Sequence, residues 1–221
     1  MEWLGTCTDI HDLRELQARQ SVLVAELQHR TRNLIGVVKA ISRRTLETSK
    51  SLHDFEQSFG DRLAALSRVQ GLLSNLSAGQ RVTFDELLKA ELSAIAAPEQ
   101  RVIFEGPNGV ELRSATVQTM ALALHELATN ATKHGALSSE CGRLRVTWHV
   151  TVDAAEQRLH VDWRETGVEL EKIGARQING GYGRELIERA LPHQLDARTT
   201  FKFGMDGIHC TLDVPVAASR R

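Results

Sequence analysis

Three kinds of feature are scarce in this chain of 221 residues, and each scarcity removes a class of protein. Cysteine is rare: Cys7, Cys141 and Cys210 are scattered and odd in number, which argues against a disulfide framework and fits a reducing cytosol. Charge bias is nearly absent. Lysine and arginine number 27 against 28 acidic residues, a net charge of −1, so no bulk field favours nucleic acid or an anionic membrane. Long apolar runs are missing: no segment is long enough to span a bilayer, and no signal peptide opens the chain. Internal repeats and low-complexity segments are missing too. What remains is ordinary for a globular protein, 42% hydrophobic and 25% charged, with length for one large domain or two small ones.

Apolar residues first recur at three- and four-residue spacing: Leu13, Leu16, Leu23, Leu27, Leu34, Val37 and Ile41, with Gln20, Arg30 and Arg44 in the remaining seam positions. A second helical stripe follows: Leu52, Phe55, Phe59, Leu66, Val69, Leu73 and Leu76. Ser49 and Ser51 mark the turn between them, and residues 77–80 end the pair. Two long helices joined by a short turn predict an antiparallel hairpin, which buries its stripe poorly alone and would cover it either by dimerisation into four helices or by folding back on the second domain. From Val82 the pattern changes. Phe84 to Ala97 reads as a helix capped by Thr83. Val102 to Glu105 and Val110 to Leu112 read as short strands around a Gly106–Gly109 hairpin turn. Ser114 to His134 reads as a long helix with Ser114 as its cap. Period-two alternation then marks strands at Leu144–Val152, Leu159–Trp163 and Ile208–Val214, with Cys210 as a small core residue. The fold class expected is α+β: a helical hairpin over 13–79, then an α/β sandwich over 80–217.

Two motifs carry the chemistry. His29-Arg30-Thr31-Arg32-Asn33 lies in the first helix, with His29 off the seam on a solvent-facing side. Imidazole is a good nucleophile near neutral pH, and Arg30 and Asn33 are suited to steady phosphate oxygens. The second motif runs from His125 to Gly135. Glu126 and Asn130 are four apart and stack on one helical face, and Lys133 lies nearly a turn beyond. An Asn side-chain oxygen is a suitable hard ligand for Mg²⁺. Leu124, Leu127, Ala128 and Ala131 supply a core-facing side to the same helix. Further on, Gly180-Gly181-Tyr182-Gly183 places glycines before a helix, where backbone N–H groups approach phosphate. Residues 164–179 show little periodicity and read as a lid.

Together these motifs resemble the HWE-type histidine kinases, whose catalytic domain belongs to the GHKL (Bergerat-type) ATPase superfamily. His29-Arg30-x-x-Asn33 resembles the phosphoacceptor box. His125-Glu126-x-x-x-Asn130-Ala131-x-Lys133 resembles the N box, and Trp163-x-Glu165 the W and E of the family name. Gly181-Tyr182-Gly183 with Leu186-Ile187 resembles the G box. The resemblance implies ATP and Mg²⁺ as cofactors and phosphorylation of His29, supported by Arg30 and Asn33. It implies catalytic roles for His29, Glu126, Asn130 and Lys133, with Asn130 on the metal. It also implies ATP contacts at His125, Asn130, Lys133, Trp163, Glu165, Gly167, Gly181, Gly183 and Leu186, with Glu165 accepting from the adenine amino group. Three departures stand out. Gly167 is followed by Val168 and Glu169 rather than Gly-Pro, His134 replaces a common Tyr or Phe, and Arg30 stands where other histidine kinases place a carboxylate.

Residues 1–12, with Trp3, Gly5 and Asp9-Ile10, resemble the last strand and exit of a PAS sensor domain. The implied partners are a response regulator receiver domain, an upstream PAS domain and a second copy through the hairpin, with no nucleic acid and no membrane span. The implied location is cytoplasmic. Two rivals remain at this stage: a histidine phosphotransfer protein with a degenerate nucleotide domain, and a GHKL ATPase.

Overall fold

The structure is a computed structural model, and it describes residues 1, 11–74, 76, 80–95, 99–153, 156–168, 182–204 and 207–216. Residues 2–10 of the expected PAS-like segment and 169–179 of the expected lid lie outside these, while residues 164–166 of the expected lid end a strand. Two compact units emerge, residues 1–47 and 48–221. The first consists of helix α1, His11–Thr48, which runs unbroken through both seam polar residues, Gln20 and Arg30. Arg44 and Arg43 pair with Glu47 along its last turns.

Helix α2, Leu52–Ser74, begins the second unit after the break at Ser49–Ser51 that the sequence marks. Ser51 Oγ accepts from the Asp54 N–H at 3.1 Å, and Asp54 accepts from the Lys50 N–H at 2.9 Å. These side chains occupy backbone groups that the first helical turn leaves without partners. Helix α3, Phe84–Ala94, opens on a reciprocal capping box: Thr83 accepts from the Glu86 N–H, and Glu86 accepts from the Thr83 N–H. Strand β1 is Val102–Glu105, helix α4 Ser114–Lys133, strand β2 Arg143–Asp153 and strand β3 Glu156–Thr166. A short helix α5, Tyr182–Glu185, passes through a π turn at Leu186–Ala190 into helix α6, Leu191–Leu195. Strands β4, Arg198–Gly204, and β5, Gly207–Pro215, complete the chain.

The five strands form one mixed sheet in the order β1-β2-β3-β5-β4, parallel only between β1 and β2. Register explains its two faces. Val146 lies opposite Trp163, and Trp163 opposite Cys210; Trp148, Val161 and Leu212 form the next row. All six are buried, so one face of the sheet carries the core. The alternate positions, among them Arg145, His149, Asp162, Arg164, His209 and Asp213, form the opposite, polar face. Phe84 meets Trp148 edge-on at 5.3 Å between centroids, joining α3 to the sheet. Helix α4 is buried continuously from Met120 to Ala128 and packs against both α2 and α3. Layered helices on one side of a mixed sheet are the α+β sandwich the alternation predicts.

Three local expectations fail. Val110–Leu112 does not form a hairpin with Val102–Glu105. The Phe84 N–H donates to Val110 O and the Leu112 N–H to Val82 O, both at 2.9 Å, while β1 lies parallel to β2. Gly109, at φ +76°, donates its N–H to Asp85, and this turn delivers the chain to α3. Ser114 does not cap α4: Arg113 is the cap residue, its backbone oxygen accepting from the Thr116 and Val117 N–H groups. Strand β4, which the reading of the sequence passes over, closes the sheet beside β5.

Candidate functional site

Helix α4 organises the site because it meets different neighbours along its length. Glu126 and Asn130 lie one turn apart, and the start of α5 abuts that face. A Cβ on Gly183 would lie 2.9 Å from Glu126 Cβ, 3.1 Å from its Oε2 and 3.3 Å from Asn130 Nδ2. Only glycine lets the two helices come this close, and its backbone then stands directly against the carboxylate and the amide. The motifs around Asn130 and Gly183, more than 50 residues apart in sequence, are thus one surface. Leu186 and Ile187, behind Gly183, are buried and anchor the turn.

Beyond Asn130 the chain leads straight to Glu165. The Asn130 backbone oxygen accepts from the His134 and Gly135 N–H groups at 2.9 and 2.8 Å, ending the helix. The next N–H, on Ala136, donates to Glu165 Oε2 at 2.9 Å. Trp163, itself fully buried, donates its indole N–H to the other oxygen at 3.0 Å. Gly135 is required beneath this carboxylate, since a Cβ there would sit 1.9 Å from Oε2. Burial pushes the Glu165 carboxyl above the usual carboxylate range, and its two donors oppose that rise. Trp163 and Glu165 are therefore a hydrogen-bonded pair, which is the physical content of their two-residue spacing on β3. His134 is pulled below the usual histidine range by burial and by the charges of Lys133 and Lys50.

His125 faces elsewhere. It is buried, and its Nδ1 lies 3.4 Å from both Glu91 of α3 and Arg68 of α2, in a cluster where Arg68 and Glu91 are themselves paired at 2.5 Å. Lys133 is part-exposed and lies 3.5 Å from Asp61. Gly167 has φ +70°, and a Cβ there would lie 3.1 Å from Cys141 O and from Gly142 Cα. In the first unit, residues 29 and 30 lie in the unbroken α1 helix, and Asn33 is exposed on it. Gly181 lies outside the described residues.

Sequence reasoning missed Arg62. This α2 residue is buried, and its guanidinium grips Glu126 at two points: Nε to Oε1 at 2.6 Å and Nη2 to Oε2 at 3.2 Å. It also lies 4.3 Å over the Tyr182 ring. The signal was present: Arg62 fills the gap between Phe59 and Leu66 in an otherwise apolar stripe, where a charge needs a buried partner.

The chain is 29% identical over 216 residues to a blue-light-activated histidine kinase of Brucella ovis, covering 96% of this chain and 43% of that protein. A similarly described protein of Brucella anthropi is 28% identical and is likewise covered over 43% of its length. The chain therefore spans less than half of these relatives. Among solved structures, a blue-light activated histidine kinase of Erythrobacter litoralis shares the fold, with a TM-score of 0.54 and 19% identity over 89% of this chain and 63% of that one. Among the described residues, no helix is long and apolar enough to cross a membrane. Residues 26–108 of this chain match the model of the HWE histidine kinase family.

Proposed function

We propose that this chain is the kinase portion of a two-component sensor. It transfers the γ-phosphoryl group of ATP to His29 and then to an aspartate of a response regulator receiver domain. The observation that carries this reading is the convergence of Glu126, Asn130 and Gly183 on one surface. A carboxylate, an amide oxygen and a bare glycine backbone suit a metal-bound triphosphate: hard oxygens for Mg²⁺ and close main-chain approach for phosphate. Asn130 would hold the ion, with Glu126 beside it and Lys133 toward a phosphate. When bound, Mg²⁺ neutralises phosphate charge. Among the described residues, no cluster of three or more His, Cys, Asp or Glu is placed to hold a metal. Glu165, buried and already oriented by two donors, is the acceptor proposed for the adenine amino group.

In the transfer, an unprotonated imidazole nitrogen of His29 bonds to the γ-phosphorus as the bond to the leaving β-phosphate oxygen of ADP breaks. The proton on the other ring nitrogen passes to solvent. Arg30 and Asn33 belong to the same helix and are proposed to steady the phosphoryl oxygens. Leu16, Val22, Val24, Ile35 and Leu46 are exposed large apolar residues on α1, and they favour a second copy as its partner. A PAS domain before residue 13 is proposed as the sensor.

The test is incubation with γ-labelled ATP. The parent should acquire acid-labile, base-stable label. His29→Gln should remove the label with ATP affinity nearly unchanged, and Asn130→Asp should remove it with folding intact. Acid-labile label persisting in His29→Gln refutes the phosphoacceptor. Equal labelling of Asn130→Asp and parent removes Asn130 from the site.

A further inference from the structure

We infer that Arg62 is a positioning residue for phosphoryl transfer: from helix α2 it sets the orientation of Glu126 in the nucleotide site. The inference rests on the kinase reading above. Three observations carry it. First, the pair is two-pronged, at 2.6 and 3.2 Å, and each side chain is only 10% exposed, so the carboxylate is fixed in plane as well as in position. Second, the guanidinium is fixed in turn, lying 4.3 Å over the ring of Tyr182, which immediately precedes Gly183. Arg62 thus touches both walls of the site, the Glu126 face of α4 and the opening turn of α5. Third, Arg62 is built into α2 between buried neighbours, Ala65 and Leu66 on one side and the part-buried Phe59 on the other. Salt bridges Arg68–Glu91 and Lys133–Asp61 tie the same helix to α3 and α4. A buried pair is a poor device for stability alone, because desolvating two charges offsets most of their attraction. Its use here is geometric: it holds a carboxylate within a fixed distance of Asn130 before nucleotide arrives. Glu126 stands one helical turn from the proposed metal ligand. A rotation of its carboxylate would alter the surface that Glu126 and Asn130 would present to the metal-bound phosphates.

The experiment compares the parent with Arg62→Gln, Arg62→Lys, Glu126→Gln and the Arg62→Gln/Glu126→Gln double variant in this 221-residue chain. Steady-state and single-turnover labelling are measured alongside ATP affinity by calorimetry. Arg62→Gln should lower kcat by about 10- to 100-fold while changing ATP affinity by less than about 3-fold. Arg62→Lys, which keeps the charge and loses the two-point grip, should recover part of the rate. On the residual labelling of Glu126→Gln, the added Arg62→Gln change should cost less than about 2-fold, because the group it positions is already gone. A loss confined to KM, a loss as large in the Glu126→Gln background as in the parent, or no loss at all overturns the inference. If labelled parent and Arg62→Gln match, this inference alone fails. A parent that binds ATP but takes no label refutes the proposed function, and this inference falls with it.

Discussion

At Glu165 the two oxygens already have donors, Trp163 on one and the Ala136 N–H on the other, yet each oxygen has a second lone pair. That is how a buried carboxylate can be rigid and still recognise a ligand. In the proposed reading the adenine amino group would supply a donor, whereas the guanine carbonyl would present an acceptor and leave both groups unsatisfied. Glu165→Ala should weaken ATP binding by about 1–3 kcal/mol and narrow its advantage over GTP. Calorimetric titration with both nucleotides checks this, and unchanged selectivity removes Glu165 from base recognition. The pairing of Trp163 with Glu165 was partly legible, since residues two apart on a strand share a face. The backbone donor at Ala136 was not legible, because it depends on how α4 ends. At His125 the motif gives the residue but not its neighbours: its Nδ1 lies 3.4 Å from Glu91 and from Arg68, contacts that no spacing in the sequence announces. Arg62 shows the converse, a residue with a visible anomaly in its stripe whose partner is 64 positions away.

Among elements, those with internal periodicity were legible and those defined by partners were not. Helices α2 and α4, and strands β2, β3 and β5, announce themselves through apolar spacing. The Thr83 cap is likewise local and legible, whereas the reciprocal bond from Glu86 that makes it a capping box is seen only in the structure. Val110–Leu112 is different: three residues near a glycine turn can pair in either direction, and the Gly109–Asp85 hydrogen bond chooses. Strand β4 was overlooked because it is an edge strand whose outward positions Arg198, Thr200 and Lys202 are exposed and whose inward positions are only half-buried. The junction of α5 with α4 is the element-scale feature most exposed to test. A methyl group at Gly183 meets Glu126 Cβ at 2.9 Å and so pushes α5 away from the Glu126–Asn130 face. Gly183→Ala should cost about 1–3 kcal/mol, as overpacking does, and should weaken ATP binding. Thermal unfolding and nucleotide titration read the two effects separately. A variant with parental melting temperature and parental affinity would mean that the helices tolerate separation and do not jointly form the site.

Across the molecule, the sheet's two faces divide the work: one carries the core, and the other is held by ion pairs between strands. Asp213 of β5 pairs with Arg158 and His160 of β3, while Asp162 of β3 pairs with Arg164 on its own strand and with His209 of β5. Burial pushes both carboxyls up, but their hydrogen bonds and cationic neighbours win and hold both below the usual aspartate range. The sign follows directly. A carboxylate with a depressed folded-state pKa contributes stability that is present above its unfolded value and lost as pH falls through the folded one. The chain should therefore lose stability below about pH 4, the usual aspartate range, with Asp162 and Asp213 contributing to the slope. Arg158 makes Asp213 the more consequential of the two. It is 4% exposed, and its guanidinium also donates to the Asp196 and Asp213 backbone oxygens, so it cannot swing to solvent when its carboxylate is removed. Asp213→Asn should cost about 2 kcal/mol at pH 7, because a buried cation loses the nearer of its two carboxylate partners, Glu156 at 3.3 Å being the other. The same substitution should cost less at acid pH, as the pH falls below the unfolded aspartate range and through the depressed folded-state value of the parent's own Asp213. Urea unfolding at the two pH values tests this, and an equal penalty at both would show that packing around Arg158, rather than its charge pair, holds β3 to β5.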